Sequence, residues 1–308
     1  MTPFRFAHSD KGDWSRIAKD LANGLAPEGG PSPGRAGLGF LYVTDAIADD
    51  VGGVLAYLRE ATGGAQWVGS VGIGICAGGA EYFGRPAAAA MMAEFPEDAF
   101  QVFPALSQSA DEIPAQQRAW IERASPPFGI VHGDSTNARS AQVIDELALA
   151  TQGFLVGGLT SSRGPQHQIA GRVTQGGVSG VLFRPSVEVA TGLTQGCLPL
   201  GPSHIVTECL DNVITELDGE RALDVFKKDV GELMARDLSR VAGYIHAAFP
   251  VEGSDTGDYM VRNLIGIDPL RGWLAVGDEI ATGDRVMFVR RDPKSAVDDL
   301  TAMIKNLK

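Results

Sequence analysis

Apolar and polar positions along the chain alternate between two periods, and the order of those periods sets out the fold. Trp14, Ile17, Ala18 and Leu21 fall at i, i+3, i+4 and i+7 behind Asp13, a residue suited to cap a helix, and Gly24 supplies the stop. Residues 26–37 form a loop rich in Pro, Gly and Ser. Leu38 to Val43 then reads as a buried strand, and Val51, Val54, Leu55 and Leu58 give the next helix its apolar stripe. Trp67 to Val71 is a second strand, ending in glycines 72 and 74.

The same succession returns further on. Phe128 to His132 reads as a strand, Val143, Ile144 and Leu147 mark a helix, and Phe154 to Val156 is a strand ending in Gly157 and Gly158. Asp45 and Asp134 are 89 residues apart, as are Pro96 and Pro185, while Val68-Gly69 and Val156-Gly157 are offset by 88. A period this long, present twice, predicts two related units and not a solenoid. Each unit has a later strand, Ala87 to Glu94 and Val178 to Phe183. The helical crossover makes the first two strands of each unit parallel neighbours, and the later strands fit antiparallel pairing. A pseudo-twofold interface of this kind is a common place for a ligand cleft.

After Pro185 the pattern changes to strands, tight turns and a helical region over 221–240. Val241 to Phe249, Tyr259 to Ile267 and residues 276–286 read as extended or turn-and-strand segments. The chain ends in a helix with Val297, Leu300 and Ile304 as its apolar stripe. The whole predicts an α/β fold: two related mixed-sheet α/β units in the N-terminal half, packed against a C-terminal α+β domain. Residues 1–185 form the first region, with repeat copies 38–96 and 128–185, and 186–308 form the second.

The formal charge of −12 argues against nucleic acid or an anionic membrane as a partner, since both repel a net acid. No stretch approaches 18 apolar residues and the first 14 lack a secretory core, so a cytoplasmic protein is expected. The three cysteines, Cys76, Cys197 and Cys209, are too few for a disulfide scaffold or a four-thiolate zinc site. The five histidines form no His-x-x-x-His or His-Glu-x-x-His pair, so metal ligands are not expected. A single axial histidine for haem needs no local motif and stays open.

Three groups of residues carry candidate chemistry. Glycines 69, 72 and 74 follow a strand, but Ile75-Cys76-Ala77-Gly78-Gly79 is a poor helix start, against a dinucleotide fold. The glycines instead suit a turn whose amides line a pocket, with Gly72 in its wall and Glu81 as an opposing acceptor. The matching loop, Gly157 to Gly164, offers Ser161 and the anion-binding guanidinium of Arg163. Cys197 sits in Gln195-Gly196-Cys197-Leu198-Pro199-Leu200-Gly201-Pro202, a loop stiffened by glycine and proline. It can shape a pocket, touch a ligand, or act as a nucleophile with His204 as the neighbouring base. Finally Tyr259, Arg262, Asn263, Asp268, Arg290, Arg291 and Asp292 form a donor-rich segment. There Arg262 beside Asn263 offers a planar fork for a carboxylate, suiting an amino-acid-like ligand.

The Gln195–Pro202 loop, the Asn212-Val213-Ile214…Leu217-Asp218-Gly219…Ala222-Leu223 block, Arg262-Asn263 and Gly266-Ile267-Asp268 together resemble FIST domains, as do Gly69 to Gly74, Glu81-Tyr82 and Phe95-Pro96. The resemblance runs from about residue 36 to the end. It implies a two-part sensory input domain for a small polar metabolite, signalling through a separate protein partner because no output domain is read in this sequence. Some family members are associated with haem and nitric-oxide signalling, so the resemblance also implies a haem-binding gas sensor as an alternative. An enzyme using Cys197 is the third reading.

Overall fold

The computed structural model describes residues 4–26, 32–231, 243–251 and 259–307. The chain divides into two compact units, Met1–Val189 and Ala190–Lys308. The first opens with β1 (Arg5–Ser9), α1 (Trp14–Leu25), β2 (Arg35–Thr44), α2 (Val51–Ala61) and β3 (Gln66–Gly72). A hairpin, β4 (Gly74–Ala77) and β5 (Ala80–Phe83), leads to β6 (Ala88–Pro96). Then come β7 (Phe100–Leu106), α3 (Ala115–Ala124), β8 (Phe128–Gly133), α4 (Ser140–Thr151), β9 (Phe154–Leu159), β10 (Gln168–Ala170), β11 (Val173–Thr174) and β12 (Val178–Phe183).

Alternation along β2 shows how these elements layer. Leu41 and Val43 join the core formed with α1 and α2, whereas Leu38 and Phe40 join a separate core with Val181 and Phe183 of β12. Val131 and Leu182 in turn face Trp120 of α3 and Leu147 of α4. Two sheets therefore pack face to face, each with its outer side covered by two helices. Strands buried on both faces need apolar residues at successive positions, which is why β12 is buried at all six.

The first sheet runs β1-β6-β2-β3 before β10 and β11 extend it, and the second runs β7-β12-β8-β9. In each, the middle pair is parallel (β2 with β3, β8 with β9) and the later strand joins antiparallel (β6 to β2, β12 to β8). On this correspondence we propose that the two halves of the unit are copies of one ancestral segment. The matching elements begin at β1 and β7, so the copies extend beyond 38–96 and 128–185. β1, β7 and α3 carry no strong local signature, and the period over residues 38–185 does not reveal them.

One backbone detail recurs in both sheets. Gly69 has φ 149° and Gly157 φ 152°, and a Cβ on either would lie 1.8 Å from a carbonyl oxygen of the parallel neighbour, Leu41 or Val131 respectively. These glycines hold a close approach of two main chains, not a ligand loop. The turn expected at 69–74 is thus partly strand, and Gly72 meets Ser161 in a parallel bridge across the two halves.

The second unit contains β13 (Cys197–Pro199), β14 (His204–Leu210), β15 (Val213–Leu217), β16 (Glu220–Arg221), α5 (Ala222–Val230), β17 (Ile245–Pro250), β18 (Tyr259–Asp268), β19 (Trp273–Val276), β20 (Arg285–Arg291) and α6 (Pro293–Asn306). Strands β14, β15, β19, β18, β17 and β20 pair in that order, and β17 pairs back onto β20, so the sheet closes on itself. Its core holds Phe288, Ile245, Leu274 and the apolar face of α5, including Leu223 and Phe226. Closure removes the free edges that an open antiparallel sheet would expose. The helical region expected over 221–240 is α5 as far as Val230, and 232–240 lie outside the described residues.

Helix α6 corrects one expectation. Asp292 caps it by accepting from Ser295 N at 2.9 Å, and Pro293 opens the first turn. The residues read as its inward stripe, Val297, Leu300 and Ile304, are exposed, while Ser295 is buried. No helix among the described residues is long and apolar enough to cross a membrane.

Replacing Gly69 or Gly157 with Ala is expected to cost about 3 kcal/mol or more, because backbone must move to admit the methyl. Gly84 also has positive φ (63°) but open surroundings, so Gly84→Ala should cost only about 1–2 kcal/mol. Urea unfolding of the three variants compares them; equal, small losses at all three would remove the close-approach argument.

Candidate functional site

The loop before β13 is built around one carboxylate. Asp299 Oδ2, on α6, accepts from Thr194 Oγ1 at 2.5 Å, Gln195 N at 3.0 Å and Gly196 N at 3.0 Å. Gly196 takes φ 65°, which turns the chain into β13 and presents Cys197. Cys197 is buried and stands opposite Arg291 of β20. Its Sγ donates to Gln195 O at 3.3 Å, and Arg291 Nε donates to Sγ at 3.4 Å. Arg291 Nη2 also reaches Gln195 O at 3.4 Å, and Tyr259 Oη donates to Cys197 O at 3.1 Å. Burial pushes the Tyr259 phenol up to about 12, helped by the negative potential of Asp299 and Cys197, so it stays a donor at neutral pH.

Beside this loop lies a cavity of about 310 Å³ whose wall includes Thr191, Gln195, Tyr259, Asp299, Met303 and Asn306. Asp299 Oδ1 takes no hydrogen bond among the described residues, because all three donors go to Oδ2. The cavity thus offers one carboxylate oxygen, two primary amides and an aromatic face.

The residues singled out in the sequence do not all meet. Gly72, Glu81 and Ser161 belong to the first unit. There Ile73 N donates to Ser161 O at 2.7 Å beside the Gly72–Ser161 bridge, while Glu81 is exposed on β5. Arg163 has no free fork for an anion. Its Nε and Nη2 donate to Asp45 Oδ2 and Oδ1 at 2.7 and 2.6 Å, and this pairing, first of all its side-chain hydrogen bond, holds the Asp45 carboxyl below its ordinary range.

In the second unit, Arg262 and Asn263 are successive residues of β18 and so project to opposite faces. Arg262 Nε donates to Asp278 Oδ2 at 2.6 Å, and Asn263 Oδ1 faces His246 Nδ1 at 3.1 Å. The expected carboxylate fork is therefore divided between two sheet faces, and Arg291 is the guanidinium that reaches Cys197. Asp278 lines a further cavity of about 530 Å³ with Phe249, Met260, Glu279, Asp284 and Arg285. Asp299, Gln195 and Asn306 escaped the sequence reading. The apolar spacing at 297, 300 and 304 pointed to the wrong inward face of α6, and a lone acid on the other face gave no signal.

His204 is not the partner of Cys197. Its Nδ1 stands 2.6 Å from Asp218 Oδ2 and its Nε2 2.9 Å from Asp229 Oδ2, so both ring nitrogens are engaged. Gly201 makes room for this clamp, since a Cβ there would lie 2.4 Å from the Asp229 carboxyl carbon. Burial pulls the imidazole pKa down, but the two carboxylates outweigh it and the net shift is upward from 6.5. Asp218 moves the opposite way, held low first by the Ile205 amide and then by His204.

A histidine with a raised folded pKa adds stability that is full below its unfolded value and lost as pH rises through the folded one. His204→Gln is accordingly expected to cost about 2–3 kcal/mol near pH 6 and progressively less toward pH 9. Urea unfolding across that range measures the difference between the two proteins. A penalty that grows with pH would show that the neutral ring is the stabilising form.

The histidines also bear on haem. Neither cavity of this unit is lined by a histidine. His204 is taken by two carboxylates, and His8 and His132 of the first unit pair with tyrosines 82 and 42 at 2.5 and 3.0 Å. These residues do not fit an axial ligand facing a cavity. Among the described residues no group of three or more His, Cys, Asp or Glu is placed to hold a metal ion.

Comparison with known proteins places the chain in a family. Residues 37–220 match the FIST N domain and residues 222–308 the FIST C domain. An uncharacterized protein of Mycobacterium tuberculosis is 28% identical over 292 residues, covering 88% of this chain and 73% of the relative. An uncharacterized protein of Mycobacterium bovis is 28% identical over 137 residues, covering 43% of this chain and 35% of the relative. The two family matches together span most of the chain, which therefore belongs to the FIST family, whose domains are sensory modules that bind small ligands.

Proposed function

We propose that the chain senses a small amine-bearing polar metabolite, such as an amino acid, in the cavity beside Cys197. The observation that carries this reading is the position of Asp299 in the cavity wall with one carboxylate oxygen unused by the loop it anchors. An ammonium group is the natural complement of that oxygen, and a charge-assisted hydrogen bond is roughly twice as strong as a neutral one. Gln195 and Asn306 supply amides that both donate and accept, matching a carboxylate or amide on the same ligand. A volume of about 310 Å³ suits a metabolite of a few to a dozen heavy atoms, at the small end of ligand cavities.

Cys197 serves in this reading as wall and anchor. No base stands beside it, its Sγ is occupied by Arg291 and Gln195 O, and the distant His204 is engaged elsewhere. The protein acts in the cytoplasm and passes occupancy to a separate signalling protein.

Calorimetry with a panel of amino acids and simple amines tests the reading. Asn306→Ala should weaken binding about 5- to 10-fold, one lost hydrogen bond, with the melting temperature unchanged. Cys197→Ser should retain the fold and bind within about tenfold of the parent. Absence of binding across the panel, or binding untouched by Asn306→Ala, would overturn the assignment of this cavity. Turnover of any ligand abolished by Cys197→Ser would overturn the non-enzymatic reading.

A further inference from the structure

The apolar stripe of α6 is the largest feature of the sequence that neither the fold nor the cavity uses. Val297, Leu300, Ile304 and Leu307 are 63%, 44%, 45% and 41% exposed. At 100° per residue they occupy one side of the helix, roughly 120° round from the face that carries Asp299, Met303 and Asn306. Single exposed apolar residues are ordinary, but four in register on one helix are the seam of a helix–helix contact.

The spacing of the stripe names its occupant. The steps 297 to 300, 300 to 304 and 304 to 307 are 3, 4 and 3, which read the same in either direction. Two antiparallel copies related by a twofold axis then place Val297 against the partner's Leu307 and Leu300 against the partner's Ile304. The flanking charges agree with that direction. Asp298 precedes the centre of the stripe and Lys305 follows it, both on the polar side of the seam. Antiparallel pairing sets each Asp298 near the partner's Lys305, whereas parallel pairing would set like charges together.

We propose that the exposed stripe of α6 is a self-complementary docking surface, on which a second copy of this chain pairs antiparallel to form a twofold dimer. Fourteen residues of helix, about 21 Å, make a contact at the small end of specific interfaces. The dimer is accordingly weak, on the order of micromolar, and its population depends on protein concentration.

Sedimentation equilibrium on the full chain, from about 1 to 300 micromolar, tests this. The parent protein should pass from monomer to dimer over that range. Leu300→Glu should remain monomeric with an unchanged melting temperature, since Leu300 supports nothing within the chain. Asp298→Lys should weaken association about tenfold by setting two pairs of like charge together. The double exchange Asp298→Lys with Lys305→Asp should restore it, an outcome that a merely structural role for either residue does not produce. A parent that stays monomeric throughout overturns the proposal, whether the stripe meets a different protein or nothing. A dimer that survives Leu300→Glu overturns it too, and a double exchange that fails to restore association overturns the antiparallel arrangement.

Discussion

One carboxylate oxygen organises the candidate site. Asp299 Oδ2 gathers the Thr194 hydroxyl and two successive main-chain amides, and in doing so fixes a stretch that belongs to no regular element. Those groups would otherwise need water, and an extended segment of this length would lose little by fraying. Anchored, the segment lies along α6 and closes one side of a cavity whose other walls are Tyr259 and the helix itself. The same anchor sets the turn at Gly196 and so the depth of Cys197 below Arg291. The thiol's environment is thus a consequence of the anchor more than of any property of cysteine.

How far the sequence reveals this depends on whether a feature is local. The parallel pairs β2/β3 and β8/β9 are legible because a glycine-terminated apolar strand, an amphipathic helix and a second strand each leave a periodic trace. Gly69 and Gly157 are legible as landmarks, although their cause is a carbonyl of the neighbouring strand and not a ligand. β1 and β7 are edge strands, half wetted, and their alternation is too short to stand out. Closure of the second sheet depends on β17 pairing back to β20, a contact between segments some forty residues apart with no turn signal between them.

The site itself is where pattern reading fails most. Arg262 and Asn263 are adjacent in sequence, and adjacency in a strand sends side chains to opposite faces. Cys197 and His204 are seven positions apart, and the turn between them takes the histidine to Asp218 and Asp229. In α6 the apolar period suggested the wrong inward face. A helix normally buries its most apolar side, so the rule misleads where that side is left free. An exposed apolar stripe, a cavity wall on the other side and a capped N-terminus place three roles on one fourteen-residue helix.

That concentration has a thermodynamic consequence. A ligand in the cavity touches α6 through Asp299 and Asn306, and a second copy touches it through Leu300 and Ile304. Leu307 belongs to both surfaces, since it lines the cavity and ends the stripe. Any difference in how α6 sits with and without ligand therefore alters its fit to a partner. Linkage makes the effect reciprocal, so the factor by which ligand changes dimer affinity equals the factor by which dimerisation changes ligand affinity. The coupling cannot exceed the ligand's own preference between the two arrangements of the helix. A weak dimer is the more responsive device here, because a shift of a few-fold in affinity moves the population most when the dissociation constant lies near the working concentration.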